Sequence, residues 1–415
     1  MELISKLKKV NKASRQLRLS TTEQRNQVLK IAAELLIAEQ KSILKANAQD
    51  LKNLPSSTPA AFRDRLTLDI TRLGHMAVSL LQVAELPDPL NVETEKRQLP
   101  NGLLLRKVRS PLGVVFMIFE SRPNVAIEAF SIGFKAGNAM ILRGGKESQH
   151  TTAALYRILK AALKQADLSE DTLLGITDPD RKIVNQLLKQ KELIDVVVPR
   201  GGDKLIEFVT ENSLIPIIKN DRGMCHIYIH EDARPEMATQ ILVNAKTQRP
   251  GVCNSMETLL IHEKIAATLL PKVYEAMSPF HVRWYAAPRA FKILKKFPMV
   301  NVATESSWKT EYLDFAINCK VVNSLEQAID HIQEFGSRHS ESIVTSNEVT
   351  ARKFQQEVDA AAVYWNASTR FTDGFEFGLG GELGISTQKL HVRGPVGLAA
   401  LTSERWLIDG TGQIR

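Results

Sequence analysis

The chain has 415 residues, of which 44% are apolar and 24% are charged, and its formal net charge is +8. This length predicts two or three domains with their own cores, and the composition excludes a disordered chain. No apolar run of about 18 residues and no signal-peptide pattern occur, so we expect a cytoplasmic protein without a membrane span. Lysine and arginine are spread along the chain without an aromatic-and-basic stripe, so the charge indicates anionic small molecules and we predict no nucleic acid partner.

The cysteines are few, widely spaced and odd in number: Cys225, Cys253 and Cys319. This pattern predicts reduced thiols rather than a disulfide framework or a zinc site. His226 and His230 lie near two acidic residues, which would suit a metal ion, but they fall in a predicted extended segment. We therefore predict no metal site.

Helix and strand patterns alternate along the chain. Thr21 and Gln24 form a predicted capping box that opens a helix over about 21–46, and helix is expected to about residue 85. A hairpin is predicted near 98–115, and the continuous apolar run 113–119 predicts a strand that is buried on both faces. Further strands are predicted at 139–143, 194–198 and 226–229, with helices at 125–135, 151–165 and 181–191. This alternation predicts a doubly wound parallel sheet.

Three loops follow predicted strands and combine glycine or proline with positive charge: 120–124, 144–148 and 199–204. Ligands of open parallel sheets bind beyond the carboxyl ends of the strands. The loops therefore predict sites for phosphate groups. Solvated surface loops are the alternative.

Cys253 follows a bend that Pro250 and Gly251 impose, which is a good arrangement for presenting a sulfur nucleophile. Its own N–H would then face the oxygen of a carbonyl under attack. The alternative is a buried cysteine that acts as a small apolar residue.

Four segments together resemble the γ-glutamyl phosphate reductases, also called glutamate-5-semialdehyde dehydrogenases, a branch of the aldehyde dehydrogenase superfamily. They are 109–125, 141–147, the segment around Cys253, and 377–395. The resemblance implies an α/β, aldehyde-dehydrogenase-like fold. It implies a doubly wound parallel-sheet domain that binds NADP(H) over 1–225, with a projecting hairpin near 98–115. An α/β catalytic domain would follow over 226–395, with a small β oligomerisation element and C-terminal return over 396–415.

The resemblance also implies roles for single residues. Asn124 matches an oxyanion-hole asparagine that acts with the N–H of Cys253, and a helix cap is the alternative. Glu311 matches a glutamate that binds the nicotinamide ribose, and a solvated surface carboxylate is the alternative. Lys219 falls where hydrolytic relatives carry a glutamate base, and a protonated lysine cannot activate water.

Further candidate residues concern the cofactor and the substrate. Arg143 matches a lysine of NAD-preferring relatives, and Lys146 replaces the glutamate that binds the adenosine ribose in them. Two cations at this place would favour the 2′-phosphate of NADP(H). Gly201 and Gly202 are further candidates for cofactor binding. The candidates for holding the carboxylate and phosphate of the substrate are Arg122, Arg200, Ser368, Thr369 and Arg370.

The implied function is the NADPH-dependent reduction of L-glutamyl 5-phosphate to L-glutamate 5-semialdehyde through a Cys253 thioester, in proline biosynthesis. A hydrolytic NAD(P)-dependent aldehyde dehydrogenase and a non-enzymatic binding module are the alternatives. The implied partners are a second copy of the chain, in a dimer or a dimer of dimers, and glutamate 5-kinase.

Overall fold

A computed structural model describes residues 2–120, 122–219 and 222–415. These residues form two compact units. Unit 1 contains the chain up to Lys219 together with Gly378–Gly384 and Pro395–Arg415. Unit 2 contains the chain between Lys219 and Gly378 together with Ile385–Gly394. The return of 378–384 to unit 1 has no counterpart among the sequence expectations. No helix among the described residues is long and apolar enough to cross a membrane.

The α-helices of the described residues are α1 (Glu2–Leu17), α2 (Thr22–Ala38), α3 (Gln40–Lys52), α4 (Ala60–Leu66), α5 (Ile70–Glu85), α6 (Asn124–Lys135), α7 (Gln149–Gln165), α8 (Arg181–Leu187), α9 (Asp203–Asn212), α10 (Pro235–Thr247), α11 (Glu263–Met277), α12 (Pro288–Leu294), α13 (Leu325–Phe335) and α14 (Glu348–Glu357). The β-strands are β1 (Glu93–Gln98), β2 (Leu104–Pro111), β3 (Val114–Phe119), β4 (Ala139–Arg143), β5 (Leu173–Ile176), β6 (Val196–Arg200), β7 (Cys225–Ile229), β8 (Met256–His262), β9 (Arg283–Ala286), β10 (Val300–Val302), β11 (Ala316–Val322), β12 (Ser340–Val344), β13 (Ala362–Trp365), β14 (Ile385–Ser386), β15 (Gly394–Pro395) and β16 (Thr402–Asp409).

Unit 1 is built on a parallel sheet with the strand order β5-β4-β3-β6. All six residues of β3 are buried, which confirms the strand predicted from the apolar run. Ile118 pairs with Arg143, and Phe119 pairs with Arg200. The carboxyl ends of β3, β4 and β6 are therefore level, so the loops that follow them leave the sheet along one edge.

The first helices differ from the expectation in one place. Thr21 caps α2, and the capping box with Gln24 is confirmed. The helix that the sequence predicts over 21–46 is interrupted at Glu39, which separates α2 from α3. No glycine or proline marks this interruption in the sequence. Arg25 of α2 is buried and forms an ion pair with Asp88.

A small antiparallel sheet in unit 1 has the order β1-β2-β16. Its hairpin turns at Gly102, whose φ of 89° favours glycine, and its first strand begins at Glu93, earlier than the predicted start near 98. β16 pairs with β2 of the same chain from Thr402 to Asp409. β1 lies at the edge of this sheet.

Unit 2 is built on a parallel sheet with the order β10-β9-β11-β8-β7-β12-β13. Helices α10 to α12 pack an apolar core against it, and Trp284 on β9 is completely buried. Cys225 on β7 and Cys319 on β11 are also completely buried, which confirms that they are core residues. The two parallel sheets confirm the predicted α/β fold.

Candidate active site

Cys253 lies in a loop of residues 248–255, here called the thiol loop, which joins α10 to β8. The side chain of Cys253 is half-buried, and the N–H of Ser255 donates to the carbonyl of Val252 to close the turn. The helix before the loop begins with Pro235 at its first turn, a favourable position for proline. The predicted nucleophile is therefore presented by a tight turn between two regular elements.

The segment 222–225 supports the backbone of Cys253. Gly223 passes so close that a Cβ atom there would lie 1.5 Å from the carbonyl oxygen of Cys253. The thiol of Cys225 donates to the same oxygen at 3.2 Å. These two contacts hold the carbonyl of Cys253, and with it the peptide unit, in place.

The other two thiols are unsuited to nucleophilic chemistry. Burial raises the pKa of Cys225 well above its ordinary value, and the nearby Glu341 and Cys253 add to this effect. Burial also raises the pKa of Cys319. Since the thiolate is the reactive form, Cys253 is the cysteine whose position fits the chemistry.

Residues 369–372 of unit 2 form hydrogen bonds with the thiol loop. Asn254 donates through Nδ2 to the carbonyl of Thr372 at 2.7 Å, and its Oδ1 accepts from Arg370. Arg370 also donates through Nε to Gln248 at 2.8 Å, and Thr369 donates to the carbonyl of Asn254 at 2.8 Å. The predicted substrate residues Thr369 and Arg370 are thus brought to the thiol loop.

Arg370 carries its positive charge beside the thiol loop, where it contacts Gln248 and Asn254. Burial lowers the pKa of its guanidinium, whereas the neighbouring Asp373 and Cys253 raise it, and Arg249 lowers it. Ser368 is buried, and its Oγ accepts from the N–H of Arg370. Ser368 thereby shapes the turn that carries Arg370.

Glu311 contacts the segment 222–225, which also supports Cys253. Its Oε1 accepts from the N–H of Gly223 at 2.8 Å, and its side chain is half-buried. One oxygen of the Glu311 carboxylate is therefore held by the backbone of unit 2. Gly223 connects Glu311 to Cys253, so these two predicted site residues occupy one cluster of unit 2.

In unit 1, Asn124 is the first residue of α6. The N-cap is Pro123 and no side chain caps this helix, so the alternative that Asn124 is a cap is wrong. Its Nδ2 donates instead to Glu128 at 2.7 Å, and Glu128 lies 3.7 Å from Arg200. An amide group has two hydrogens, so one remains for a further acceptor.

Gly201 and Gly202 precede α9 at the carboxyl end of β6. The N–H of Gly202 donates to Oε2 of Glu120 at 2.9 Å. A Cβ atom on Gly201 would lie 2.6 Å from the Glu120 carboxyl, so the glycine permits this close approach. A carboxylate therefore lies at the helix N-terminus, where anions are stabilised.

Cations gather at the carboxyl end of β4. Arg143 donates to the carbonyl of Pro179 at 3.0 Å, while its Nε is buried and makes no hydrogen bond with the described residues. Burial lowers the pKa of Arg143, and repulsion from Arg181 lowers it further. Lys146 is exposed at the start of the next turn. The sequence analysis did not include Arg181 among the candidate residues of this site. Its position directly after the turn 178–180 was the signal that could have indicated it.

Two other predicted residues, Arg122 and Lys219, lie in unit 1. Arg122 lies just before α6, and its carbonyl accepts from the N–H of Val125. Lys219 is half-buried and is the last residue of the first segment of unit 1. Ser121, which belongs to the segment 109–125, lies outside the described residues, as do Asn220 and Asp221, which follow Lys219.

Comparisons with known proteins find similarity over the whole length of the chain. Residues 2–288 match the model of the aldehyde dehydrogenase family. Proteins named γ-glutamyl phosphate reductase from Carboxydothermus hydrogenoformans and Enterococcus faecalis are 47% and 48% identical, over 100% and 97% of this chain and 99% and 96% of their own. The crystal structure of γ-glutamyl phosphate reductase from Thermotoga maritima is 41% identical, has a TM-score of 0.97 and covers 100% of both chains.

Proposed function

Because the chain belongs to the γ-glutamyl phosphate reductase family of aldehyde dehydrogenases, we propose that it reduces L-glutamyl 5-phosphate to L-glutamate 5-semialdehyde and phosphate with NADPH. This reaction is a step of proline biosynthesis. The observation that carries the proposal is the half-buried Cys253 in a turn whose backbone is fixed by Gly223 and Cys225. The fold alone would not assign an activity.

Cys253 is the proposed nucleophile. Its thiolate forms a bond to the acyl carbon of the substrate, and the bond from that carbon to the phosphate oxygen breaks. The nearby positive charge of Arg370 favours the thiolate. The N–H of Cys253 is the proposed donor to the tetrahedral oxygen. The oxyanion-hole role of Asn124 stays a prediction from the resemblance, and its second amide hydrogen is available for it.

The resulting thioester has to be protected from water. By the resemblance, Lys219 falls where hydrolytic relatives carry a glutamate base, so the carboxylate that would activate water is replaced there. The thioester then persists until it is reduced. A reduced nicotinamide, when bound, supplies the hydride that converts the thioester to the aldehyde level, after which Cys253 leaves as a thiolate.

The residues at the carboxyl end of β4 fit a phosphorylated dinucleotide. The buried Nε of Arg143 has no acceptor among the described residues, and Arg181 repels it. An anion placed there would relieve both conditions. We assign Arg143, Arg181 and Lys146 to the 2′-phosphate of NADP(H), Gly201 and Gly202 to the diphosphate, and Glu311 to the nicotinamide ribose.

The anionic groups of the substrate need cations as well. Arg370 has its Nε committed to Gln248, so the proposed contribution of this residue is its charge and its remaining donors. Thr369 donates to the carbonyl of Asn254 in the thiol loop, and Ser368 accepts from the N–H of Arg370, so both residues hold the turn that carries Arg370. Arg122 stays a predicted contact of the substrate.

Assembly and location stay proposals. The edge strand β1 and the three-stranded sheet offer a surface for a second copy of the chain. A complex with glutamate 5-kinase remains a prediction. No disulfide joins the three cysteines, which supports a reducing compartment and hence the cytoplasm.

The reaction can be tested in reverse with glutamate 5-semialdehyde and NADP⁺. We expect reduction of NADP⁺ to require inorganic phosphate, because phosphate releases the acyl group from Cys253. A hydrolytic aldehyde dehydrogenase, the alternative that no observation here favours, would give the same signal without phosphate. A binding module would give no signal in either condition.

A further inference from the structure

A buried ion pair closes the base of the thiol loop. Lys246 lies in the last turn of α10, Glu257 is the second residue of β8, and both side chains are completely buried. The Nζ atom of Lys246 lies 3.3 Å from Oε1 of Glu257. The pair therefore joins the two elements between which Cys253 is presented.

Stability alone does not account for this pair. Burial raises the pKa of the Glu257 carboxyl, which Lys246 only partly offsets, and burial lowers the pKa of Lys246. Removing two charges from water costs several kcal/mol per ion, and well-packed apolar residues of similar volume often stabilise a protein equally well. The second oxygen of Glu257 shows what the pair does in addition.

Oε2 of Glu257 accepts a hydrogen bond from the N–H of Tyr312 at 3.3 Å. The Tyr312 ring stacks on Tyr285, with centroids 5.1 Å apart and planes 4° from parallel. Its hydroxyl donates to Asn318 at 2.8 Å. Tyr312 is therefore held at its backbone, its ring and its hydroxyl.

Tyr312 directly follows Glu311, so its anchoring fixes where the Glu311 side chain starts. Glu311 accepts from the N–H of Gly223 at 2.8 Å, and Gly223 packs on the carbonyl of Cys253. Glu257 is thus linked to the thiol loop twice. One link is the ion pair with Lys246, and the other runs through Tyr312, Glu311 and Gly223.

We propose that Glu257 is a positioning residue, whose carboxylate holds the backbone of Tyr312 so that Glu311 meets the nicotinamide ribose at a fixed distance from Cys253. This inference rests on the proposed function for the role of Glu311. Lys246 neutralises the buried carboxylate and keeps it in place. The acceptor oxygen, rather than the ion pair as such, carries the effect on the coenzyme.

Two double variants separate the acceptor from the charge. Lys246→Met with Glu257→Gln removes both charges but keeps an oxygen for the N–H of Tyr312. Lys246→Met with Glu257→Leu removes the charges and the acceptor. We expect the first to bind NADPH like the wild type and the second to bind it about 10- to 100-fold more weakly, the loss that is typical when a partner orienting a metal-binding residue is removed. Binding is measured by NADPH fluorescence titration.

A further variant tests the inference in case the double variant with Glu257→Leu folds poorly. Glu257→Asp keeps the charge beside Lys246 but shortens the side chain by one methylene, so NADPH binding should weaken here too. The control is Arg25→Met with Asp88→Leu, which replaces the buried ion pair of unit 1 and should leave the dissociation constant unchanged. The thermal midpoint of each variant shows that it is folded.

Coupling to Glu311 completes the test. The effects of Glu257→Asp and Glu311→Gln on NADPH affinity should be clearly less than additive, because both act on one contact. The inference is overturned if Glu257→Asp and the leucine double variant bind NADPH like the wild type, or if the glutamine double variant loses as much affinity as the leucine one. A different result would contradict the proposed function, namely the absence of phosphate-dependent turnover in the wild type. The NADPH titration does not depend on turnover, so the two outcomes can be distinguished.

Discussion

Gly223 and Cys253 are in contact through their backbones, and a Cβ atom on Gly223 would meet the Cys253 carbonyl oxygen at 1.5 Å and its Cα atom at 2.6 Å. Both of these atoms belong to the backbone, so no side-chain rotation can relieve the clash. The position of the proposed nucleophile thus depends on a glycine that lies 30 positions earlier in the chain.

Gly223→Ala should therefore displace the thiol loop. We expect a lower thermal midpoint, corresponding to about 1–3 kcal/mol of overpacking, and a fall in turnover of about 10²-fold, since a shift near 1 Å is enough for such a loss. Gly251→Ala is the matched control for stability, because its Cβ would lie 3.5 Å from the Leu313 carbonyl oxygen, an ordinary contact. Equal midpoints for the two variants would contradict the packing argument.

Lys146→Glu should change the choice of coenzyme. An anion at this exposed position would repel a 2′-phosphate, so the preference for NADPH over NADH should fall by about 10- to 100-fold, or about 1.4–2.8 kcal/mol. The measurement is kcat/KM for the two coenzymes. Lys164→Glu makes the same charge change on α7 and should leave the preference intact. An unchanged preference in Lys146→Glu would remove this residue from the coenzyme site.

Glu120→Ala should expose the N–H of Gly202. The Glu120 carboxylate competes with a coenzyme phosphate for that donor, so NADPH should bind several-fold more tightly to the variant. Loss of an anion at a helix N-terminus should also cost about 0.3–1 kcal/mol of stability without coenzyme. Glu207→Ala on α9 is the control for net charge. Weaker binding in Glu120→Ala would show that Glu120 is itself a coenzyme ligand.

The acid stability of unit 2 should depend on Asp359. Hydrogen bonds from Lys389 and Arg393 lower the pKa of Asp359 to about 2 from 3.8. A carboxyl with a lowered pKa stabilises the folded state above its unfolded pKa, and this contribution disappears as the pH falls from about 4 to about 2.

Asp359→Asn should therefore reduce the loss of thermal stability between these pH values. Because the carboxylate is partly exposed, the difference at neutral pH should be at most about 1 kcal/mol. Asp330→Asn, at an exposed aspartate of α13, is the control. The same acid dependence in wild type and Asp359→Asn would contradict the assignment of these ion pairs.

Local signals predicted the fold well where one residue pattern decides the structure. The apolar run of β3 and the capping box at Thr21 are examples. The break at Glu39 and the return of 378–384 to unit 1 were missed, because tertiary packing rather than local propensity decides such features. For the same reason the sequence placed the hairpin of the small sheet too late.

The candidate site shows the same division. Cys253 and its bend were visible in the sequence, and the resemblance supplied Asn124 and Glu311. The contacts of Gly223 with Cys253 and of Glu257 with Tyr312 could not be predicted from the sequence, because they join residues that are 30 and 55 positions apart. Glu257 in particular reads as an ordinary charged residue until its burial is known.

The central claim is that Cys253 carries the acyl group. The most direct test is the rate of phosphate-dependent NADP⁺ reduction by purified Cys253→Ala with glutamate 5-semialdehyde, compared with Cys319→Ala at matched thermal stability. The account predicts a loss of about 10³-fold or more for Cys253→Ala and near-normal turnover for Cys319→Ala. Turnover of Cys253→Ala within about tenfold of the wild type would contradict it.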